Sequence, residues 1–173
     1  VLNDGNARSN VGSYNSIDGF NYQNEVLFPF GYGLSYSSFI DKIDDFQMDY
    51  DKKEINISVI SQNIGNIASK NVIELYYQSE YTEFDKNNGI EKSSINLIRF
   101  AKTKELKPKE KEIIKFNVSF DELASYDRKI NQTYILENCN YYFSLGEDVH
   151  QALNNILSVK GYNKSNNSYI SSD

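Results

Sequence analysis

Few residues in this sequence are able to do nucleophilic or metal chemistry. There is one histidine, His150, and one cysteine, Cys139. A single cysteine excludes an internal disulfide and a multi-thiolate metal site, and a lone thiol beside strand residues is usually packed and inert. His150 has no Cys or His at ligand spacing and only Asp148 nearby, so the pattern does not predict a metal site. We expect no metal ion, no cofactor and no cysteine nucleophile.

Carboxylates are abundant, but no pair has a spacing that marks it as catalytic. Neighbouring acids such as Asp44 and Asp45, or Glu110 and Glu112, lie in polar segments, where acidic side chains usually face water. The net charge is −6, and no Lys-rich or Arg-rich run is present. Nucleic acid is therefore an unexpected partner, because phosphate backbones bind basic surfaces. No apolar run approaches the roughly 20 residues needed to cross a bilayer, so no membrane partner is expected.

Residues 41–147 have the pattern of an all-β, immunoglobulin-like antiparallel sandwich. Short runs alternate apolar and polar residues, as strands with one buried face do. Turn residues separate the runs, and no helical segment lies between them as a βαβ fold would require. We expect about seven strands. They lie near residues 46–50, 55–59, 73–77, 97–100, 114–120, 134–136 and 141–145.

The segments between and after these runs carry further expectations. Residues 80–92 are expected to form a polar loop, and residues 121–126 a helical turn. The last two runs are expected to pair as a closing hairpin around residues 137–140. In residues 148–173, helical spacing of apolar residues up to Val159 predicts a short helix, and a polar tail follows it.

Residues 27–40 predict an irregular aromatic linker that contacts a neighbouring domain. Pro29 holds Phe28 extended, while Gly31 and Gly33 permit a positive φ and close approach of the backbone. So many apolar rings outside a strand pattern imply a partner surface. The rings expected to make this inter-domain contact are those of Phe28, Phe30, Tyr32, Tyr36 and Phe39. Residues 1–26, rich in Asn, Ser and Gly, are expected to be a loop or the end of a preceding domain.

Two surface features leave further roles open. The sequence contains 14 Tyr and 10 Phe, and exposed rings can stack on sugars, although most of these rings occupy alternating strand positions typical of a core. Asn-X-Ser/Thr sequons occur at about the frequency that chance gives. They lie at Asn56, Asn117, Asn131, Asn163 and Asn166. Asn56 and Asn117 are expected on outward strand positions, where N-glycosylation is sterically allowed if a eukaryote secretes the chain.

Four segments carry a resemblance to glycoside hydrolase family three. Residues 27–39, LFPFGYGLSYSSF, are similar to the hinge that enters the fibronectin type III-like domain in the C-terminal region of those enzymes. Residues 63–78, NIGNIASKNVIELYYQ, and residues 98–127 are similar to successive strands of that domain. Residues 141–162 are similar to the exit segment of members in which another domain follows. The resemblance covers about residues 25–160 and implies a fibronectin type III-like sandwich.

The resemblance implies that catalysis belongs to other domains. The family's nucleophile lies in a barrel domain within a Ser-Asp-Trp type motif, and this sequence contains no Trp. The family's Lys-His pair is also missing, since Val149 precedes His150, so we assign no catalytic residue. The parent is expected to be a retaining β-glucosidase or β-xylosidase of carbohydrate metabolism. The expected partners are its α/β and barrel domains, with oligosaccharide contact as a further candidate.

Three functions remain open from the sequence. The first is a non-catalytic domain that braces the catalytic domains and borders the active-site entrance. The second is a stand-alone carbohydrate-binding or adhesion module that uses surface tyrosines, and the third is a structural spacer. A start at Val1 instead of Met suggests an excised fragment. An extracellular location is favoured for the parent, while the chain itself indicates none.

Overall fold

Alternating apolar side chains on six strands bury one face of each of two antiparallel sheets. The computed structural model describes residues 27–90 and 92–162. The first sheet has the strand order β1 (Phe39–Asp49), β2 (Glu54–Asn63), β5 (Lys111–Ser119). The second sheet has the order β4 (Asn96–Lys102), β3 (Val72–Ser79), β8 (Tyr141–Gly146). A separate ribbon pairs β6 (Ser125–Asp127) with β7 (Thr133–Ile135).

The main core lies between the two sheets. Strand β2 contributes Ile55, Ile57 and Val59, which face Ile73 and Leu75 of β3. Each fully buried aliphatic side chain contributes about 1.5–3 kcal/mol relative to an exposed one. Their period-two spacing is the one on which the sequence prediction depended. The predicted all-β sandwich is therefore confirmed.

A second core covers the outer face of the second sheet. Helix α2 (Val149–Val159; α1 is given below) begins at Asp148, whose side chain accepts a hydrogen bond from the Gln151 backbone N–H at 2.9 Å. Its apolar stripe buries Ala152, Leu153 and Ile156 against Tyr76 and Ile95. The predicted C-terminal helix is thus confirmed, and it buries β3 on both faces.

Residues 80–92, predicted to be a polar loop, contain a short helix, α1 (Glu83–Asn88). A capping box explains it, because the Thr82 hydroxyl accepts from the Asp85 N–H and the Asp85 carboxylate accepts from the Thr82 N–H. Gly89 ends the helix with φ +61°, a left-handed conformation that favours glycine. The loop prediction is wrong for these residues.

The predicted closing hairpin of residues 134–136 and 141–145 is also wrong. Strand β7 pairs with β6, whereas β8 pairs with β3. In the connection between these strands, the Glu137 side chain turns inward and is largely buried against Lys92. The two runs are therefore consecutive along the chain but do not pair with each other, as the strands of a hairpin must.

The structure has eight strands in its described residues, where the sequence predicted about seven. The additional strand is β6, three residues long, which follows a 3-10 helix at Phe120–Leu123 in the region of the predicted helical turn. The first strand begins at Phe39 and so includes the last two residues assigned to the linker. A register shift between Ile43 and Asp45 in its pairing with β2 breaks the alternation there, because a bulge turns successive side chains to new faces.

Candidate inter-domain docking surface

Hydrogen bonds attach the backbone of the linker to the sandwich. The Val149 backbone N–H, in the first turn of α2, donates to the Phe30 carbonyl at 2.9 Å. At the other end, the Ile64 N–H donates to the Ser38 carbonyl at 2.8 Å. The linker is therefore held at both ends by the turn after β2 and by the start of α2.

Gly31 occupies the tightest point of this contact. Its φ is +88°, and a Cβ atom there would lie 2.5 Å from the Tyr76 hydroxyl and within contact distance of Glu74 Oε2. That hydroxyl donates to Glu74 Oε2 at 2.5 Å. Only glycine combines this conformation with this close approach.

The aromatic rings of the linker face away from the sandwich that holds their backbone. The exposed fractions are 64% for Phe28, 62% for Phe30 and 90% for Tyr36. Tyr32 is exposed as well and stacks on Phe28 with ring centroids 4.9 Å apart. The structure thus presents four of the five predicted docking rings to solvent on a fixed backbone.

Phe39, the fifth predicted ring, is half-buried at the start of β1. Two leucines of the same segment, Leu27 and Leu34, are more than four-fifths exposed. The sequence prediction named only aromatic residues, so it did not include these two leucines. The signal that could have found them is a large apolar side chain in a segment without a strand pattern. The docking role of all these residues stays a prediction.

Replacing Gly31 with alanine should release the linker from the sandwich. The added Cβ would collide with the Tyr76 hydroxyl and would also strain a backbone at positive φ. We expect proteolytic cleavage within residues 27–38 to become several-fold faster at native conditions, because local opening governs it. Gly33→Ala is the matched control, since nothing lies within 4 Å of a Cβ at that position. Equal cleavage rates for the two variants would contradict this account of Gly31.

A cleft of about 810 Å³ lies beside the linker, bordered by β1, β8 and the start of α2. Asp41 and Glu74 both line it. Both Asp41 oxygens accept from the Asn71 side-chain amide, at 2.9 and 2.8 Å, whereas Glu74 lies under Gly31. Burial raises the pKa of Asp41, partly offset by hydrogen bonds from Ser61 and Asn71. We assign neither acid a catalytic role.

A second set of charged groups is buried at the opposite end of β3. The Lys92 ammonium lies 2.7 Å from Asp85 Oδ2 and also pairs with the Glu137 carboxylate. The Thr82 hydroxyl donates to Glu137 Oε1 at 2.7 Å. The side chains of Lys92 and Asp85 are 5% and 0% exposed. We call Thr82, Asp85, Lys92 and Glu137 the buried ion cluster.

The electrostatics of the buried ion cluster are those of a stable salt bridge. Burial tends to raise the pKa of Asp85, but hydrogen bonds from Lys92 and Thr82 hold it below its ordinary value. Burial tends to lower the pKa of Lys92, but its two carboxylate partners hold it above its ordinary value. A catalytic pair needs access to substrate, and these carboxylates are closed off. The cluster therefore anchors α1 and the segment after β7.

The predicted glycosylation sites occupy different settings. Asn56 and Asn117 are exposed cross-strand partners on β2 and β5, and the Asn117 amide donates to Asn56 Oδ1 at 3.1 Å. Asn131 is exposed and its side-chain amide donates to Asp127 at 2.9 Å. The remaining sequons, Asn163 and Asn166, lie outside the described residues. Glycosylation at these positions stays a prediction.

Within residues 27–90 and 92–162, no three His, Cys, Asp or Glu side chains are arranged to hold a metal ion. No helix of that same part of the chain is long and apolar enough to cross a membrane. Cys139 is half-buried with a free thiol. His150 lies in the first turn of α2.

Comparison with known proteins shows where this fold recurs. β-Glucosidase A of Butyrivibrio fibrisolvens is 32% identical over 143 residues, which is 72% of this chain. The β-glucosidase of Kluyveromyces marxianus is 32% identical over 141 residues, or 81% of this chain. The crystal structure of a β-glucosidase from Paenibacillus barengoltzii superposes on 75% of this chain with a TM-score of 0.65 and 32% identity. The chain is homologous to one region of the family three β-glucosidases. No family model matches the sequence.

The homologous region is a small part of each family three relative. The chain spans 16% of the Butyrivibrio protein, 15% of the Kluyveromyces protein and 14% of the Paenibacillus structure. Most of each relative therefore lies outside the segment that the chain matches. An accessory region of a family three enzyme fits both this small share and the β-sandwich.

Proposed function

We propose that the chain is a non-catalytic, fibronectin type III-like domain of a longer family three glycoside hydrolase, which we call the longer enzyme. In this proposal the domain braces the catalytic domains through its aromatic linker. One observation carries the proposal: the linker backbone is bonded to the sandwich, yet its rings point into solvent. Exposed aromatic clusters of this kind are costly in water and typical of contact surfaces.

The proposal divides the chain into four parts. Residues 1–26 would end a preceding domain or form a loop, and residues 27–40 would be the docked linker. Residues 41–147 would form the sandwich, with residues 148–173 as helix and tail. The buried ion cluster would then hold α1 and the end of the β6–β7 ribbon in fixed positions. In this proposal, these segments border the active-site entrance.

The longer enzyme would hydrolyse β-glucosides, as the names of the relatives suggest, and the family resemblance implies a retaining reaction on terminal β-D-glucosides. The xyloside alternative stays open, because β-xylosidases of Formosa agariphila are also among the relatives. That chemistry needs two carboxyl groups about 5–5.5 Å apart. They would be supplied by a barrel domain, since the acids described above are engaged in structural contacts. The isolated chain would accordingly not hydrolyse an aryl β-glucoside.

Removal of linker rings from the longer enzyme tests the bracing role. Phe30→Ser combined with Tyr36→Ser should lower its thermal midpoint by about 3 °C or more, because each lost buried ring costs on the order of 1–3 kcal/mol. The same pair should leave the 173-residue chain unchanged, since both rings are exposed in it. The matched control is Tyr126→Ser combined with Tyr134→Ser, two exposed rings on the β6–β7 ribbon. A longer enzyme as stable with the linker pair as with the control pair would refute bracing.

A carbohydrate-binding module is the second candidate, and one observation favours it. Tyr126 and Tyr134 form an exposed cross-strand pair with ring centroids 5.3 Å apart. The buried Asp127 carboxylate holds their ribbon by accepting three backbone N–H groups. Titration with cellotetraose separates the candidates, because binding lost in Tyr134→Ala but kept in Tyr36→Ala would support this module.

A further inference from the structure

Strand β4 presents a large aromatic ring to water that neither core explains. Phe100 is 70% exposed, although the strand has room to bury alternate side chains on its other face. It is the cross-strand partner of Glu74 on β3. The next pair on the same face, Val72 with Lys102, adds a second exposed apolar side chain, Val72.

This face of the second sheet is continuous with the linker. Cross-strand partners lie about 4.5–5.5 Å apart at their Cβ atoms, so Phe100 lies directly beside Glu74. Gly31 covers the other side of the Glu74 carboxylate. Phe100 and the linker backbone at Gly31 therefore flank Glu74 from two sides.

Glu74 has no cation at ion-pair distance within the part of the chain that the structure describes. The described residues form six salt-bridge contacts, and none involves Glu74, Glu147 or Asp148. Lys42, Lys70 and Lys102 line the same cleft as Glu74, yet none of them lies within ion-pair distance of its carboxylate. Burial raises the pKa of Glu74, the Tyr76 hydroxyl partly offsets this, and the charge of Asp148 adds to it. Among the described residues, Glu74 is thus a half-buried carboxylate beside Phe100 and Gly31 with no cation at ion-pair distance.

We propose that Phe100 and Glu74 belong to the same docking surface as the linker rings, and that this surface receives an apolar patch carrying a Lys or Arg side chain. The patch belongs to a neighbouring domain of the longer enzyme, so the inference rests on the proposed function. The basic group ends between Phe100 and Gly31 and pairs with the Glu74 carboxylate. A charge-assisted pair enclosed by apolar side chains is typical of the centre of an interface.

The proposal predicts opposite effects of one substitution in two settings. In the 173-residue chain, Glu74→Gln removes a half-buried charge that pairs with no described cation, and it keeps an acceptor for the Tyr76 hydroxyl. The thermal midpoint should therefore stay unchanged or rise by about 1–2 °C. In the longer enzyme, the same substitution leaves the partner's cation unpaired at the interface. The midpoint there should fall by about 3 °C or more.

Phe100→Ser gives an independent reading of the same surface. It should lower the midpoint of the longer enzyme by a similar amount and leave the 173-residue chain unchanged or more stable, because the ring is exposed in it. The matched controls are Glu105→Gln and Tyr134→Ser, which replace an exposed acid and an exposed ring elsewhere. Differential scanning calorimetry of both proteins with each variant measures all of these shifts.

The linker variants separate this inference from the proposed function. If Phe30→Ser with Tyr36→Ser destabilises the longer enzyme while Glu74→Gln and Phe100→Ser behave as their controls, the composite surface is overturned and the bracing role stands. If none of these variants differs from its control, both are overturned. If Glu74→Gln stabilises the longer enzyme as it does the isolated chain, no cation meets Glu74 and the basic partner is refuted.

Discussion

Replacing Lys92 with methionine should lower the free energy of unfolding by about 3–5 kcal/mol at neutral pH. Lys92 is the cation that neutralises Asp85 and Glu137 in the buried ion cluster. Without it, two carboxylates remain largely desolvated, and one oxygen of Asp85 has no hydrogen-bond partner even in the unaltered chain. Urea unfolding followed by tyrosine fluorescence measures the change.

The pH dependence of the free energy of unfolding is a second test of the Lys92 prediction. In the unaltered chain the pKa of Asp85 lies below its ordinary value of 3.8, so its contribution is present above that pH and is lost as the pH falls further. Without Lys92, the burial of Asp85 is no longer offset by the ion pair and acts to raise its pKa, so the destabilisation of the variant decreases as Asp85 protonates. The difference in stability between the two proteins should therefore shrink on acidification.

Lys86→Met is the matched control for Lys92→Met. Lys86 pairs with Glu83 on the exposed face of α1 at 2.6 Å, and exposed pairs of this kind contribute little. Its removal should leave the unfolding midpoint within experimental error. An equally small effect for Lys92→Met would mean that the buried ion cluster does not anchor α1.

Truncation of Tyr76 to alanine should cost about 3–5 kcal/mol of folding free energy. Tyr76 is fully buried between β3 and α2, where it packs against Leu153 and Ile156. The cavity left by the ring would loosen α2, and the hydroxyl contact with Glu74 would also be lost. Thermal unfolding monitored by circular dichroism measures the loss.

Two further tyrosine variants show which part of Tyr76 matters. Tyr76→Phe keeps the ring and removes only the hydrogen bond to Glu74, so it should cost about 1 kcal/mol. Tyr36→Ala removes a ring that is exposed in the isolated chain and should change the stability little. A loss from Tyr76→Ala no larger than that from Tyr36→Ala would contradict the packing of α2 on the second sheet.

Period-two alternation was sufficient to predict the sandwich, because β2, β3 and β5 bury alternate side chains between the sheets. The runs around Ile57, Leu75 and Phe116 all lie in the main core. Helical spacing after Gly146 likewise predicted α2. Helix α1 was missed because it has six residues and no apolar stripe, so only the capping pair of Thr82 and Asp85 marks it.

Pairing between strands could not be predicted from local pattern. Strand β6 is three residues long, which is too short for alternation to show. The sequence pattern therefore did not predict β6, which is the partner of β7. The buried ion cluster joins Lys92 to Glu137 across 45 positions, and no spacing rule links residues at that distance. The sequence pattern placed Phe100 on a strand but did not predict that its ring is exposed. Alternation assigns residues to two faces of a strand without saying which face is covered.

Oxidative footprinting of the linker rings tests the central claim most directly. Hydroxyl radicals modify exposed aromatic side chains, and mass spectrometry measures the rate at each residue. If the linker docks against a neighbouring domain, the rates at Phe30 and Tyr36 should be several-fold lower in the longer enzyme than in the 173-residue chain. Tyr134 on the β6–β7 ribbon serves as the internal reference. Equal rates at Phe30 and Tyr36 in the two proteins would show that the rings remain in water, and the domain would then not brace the enzyme through its linker.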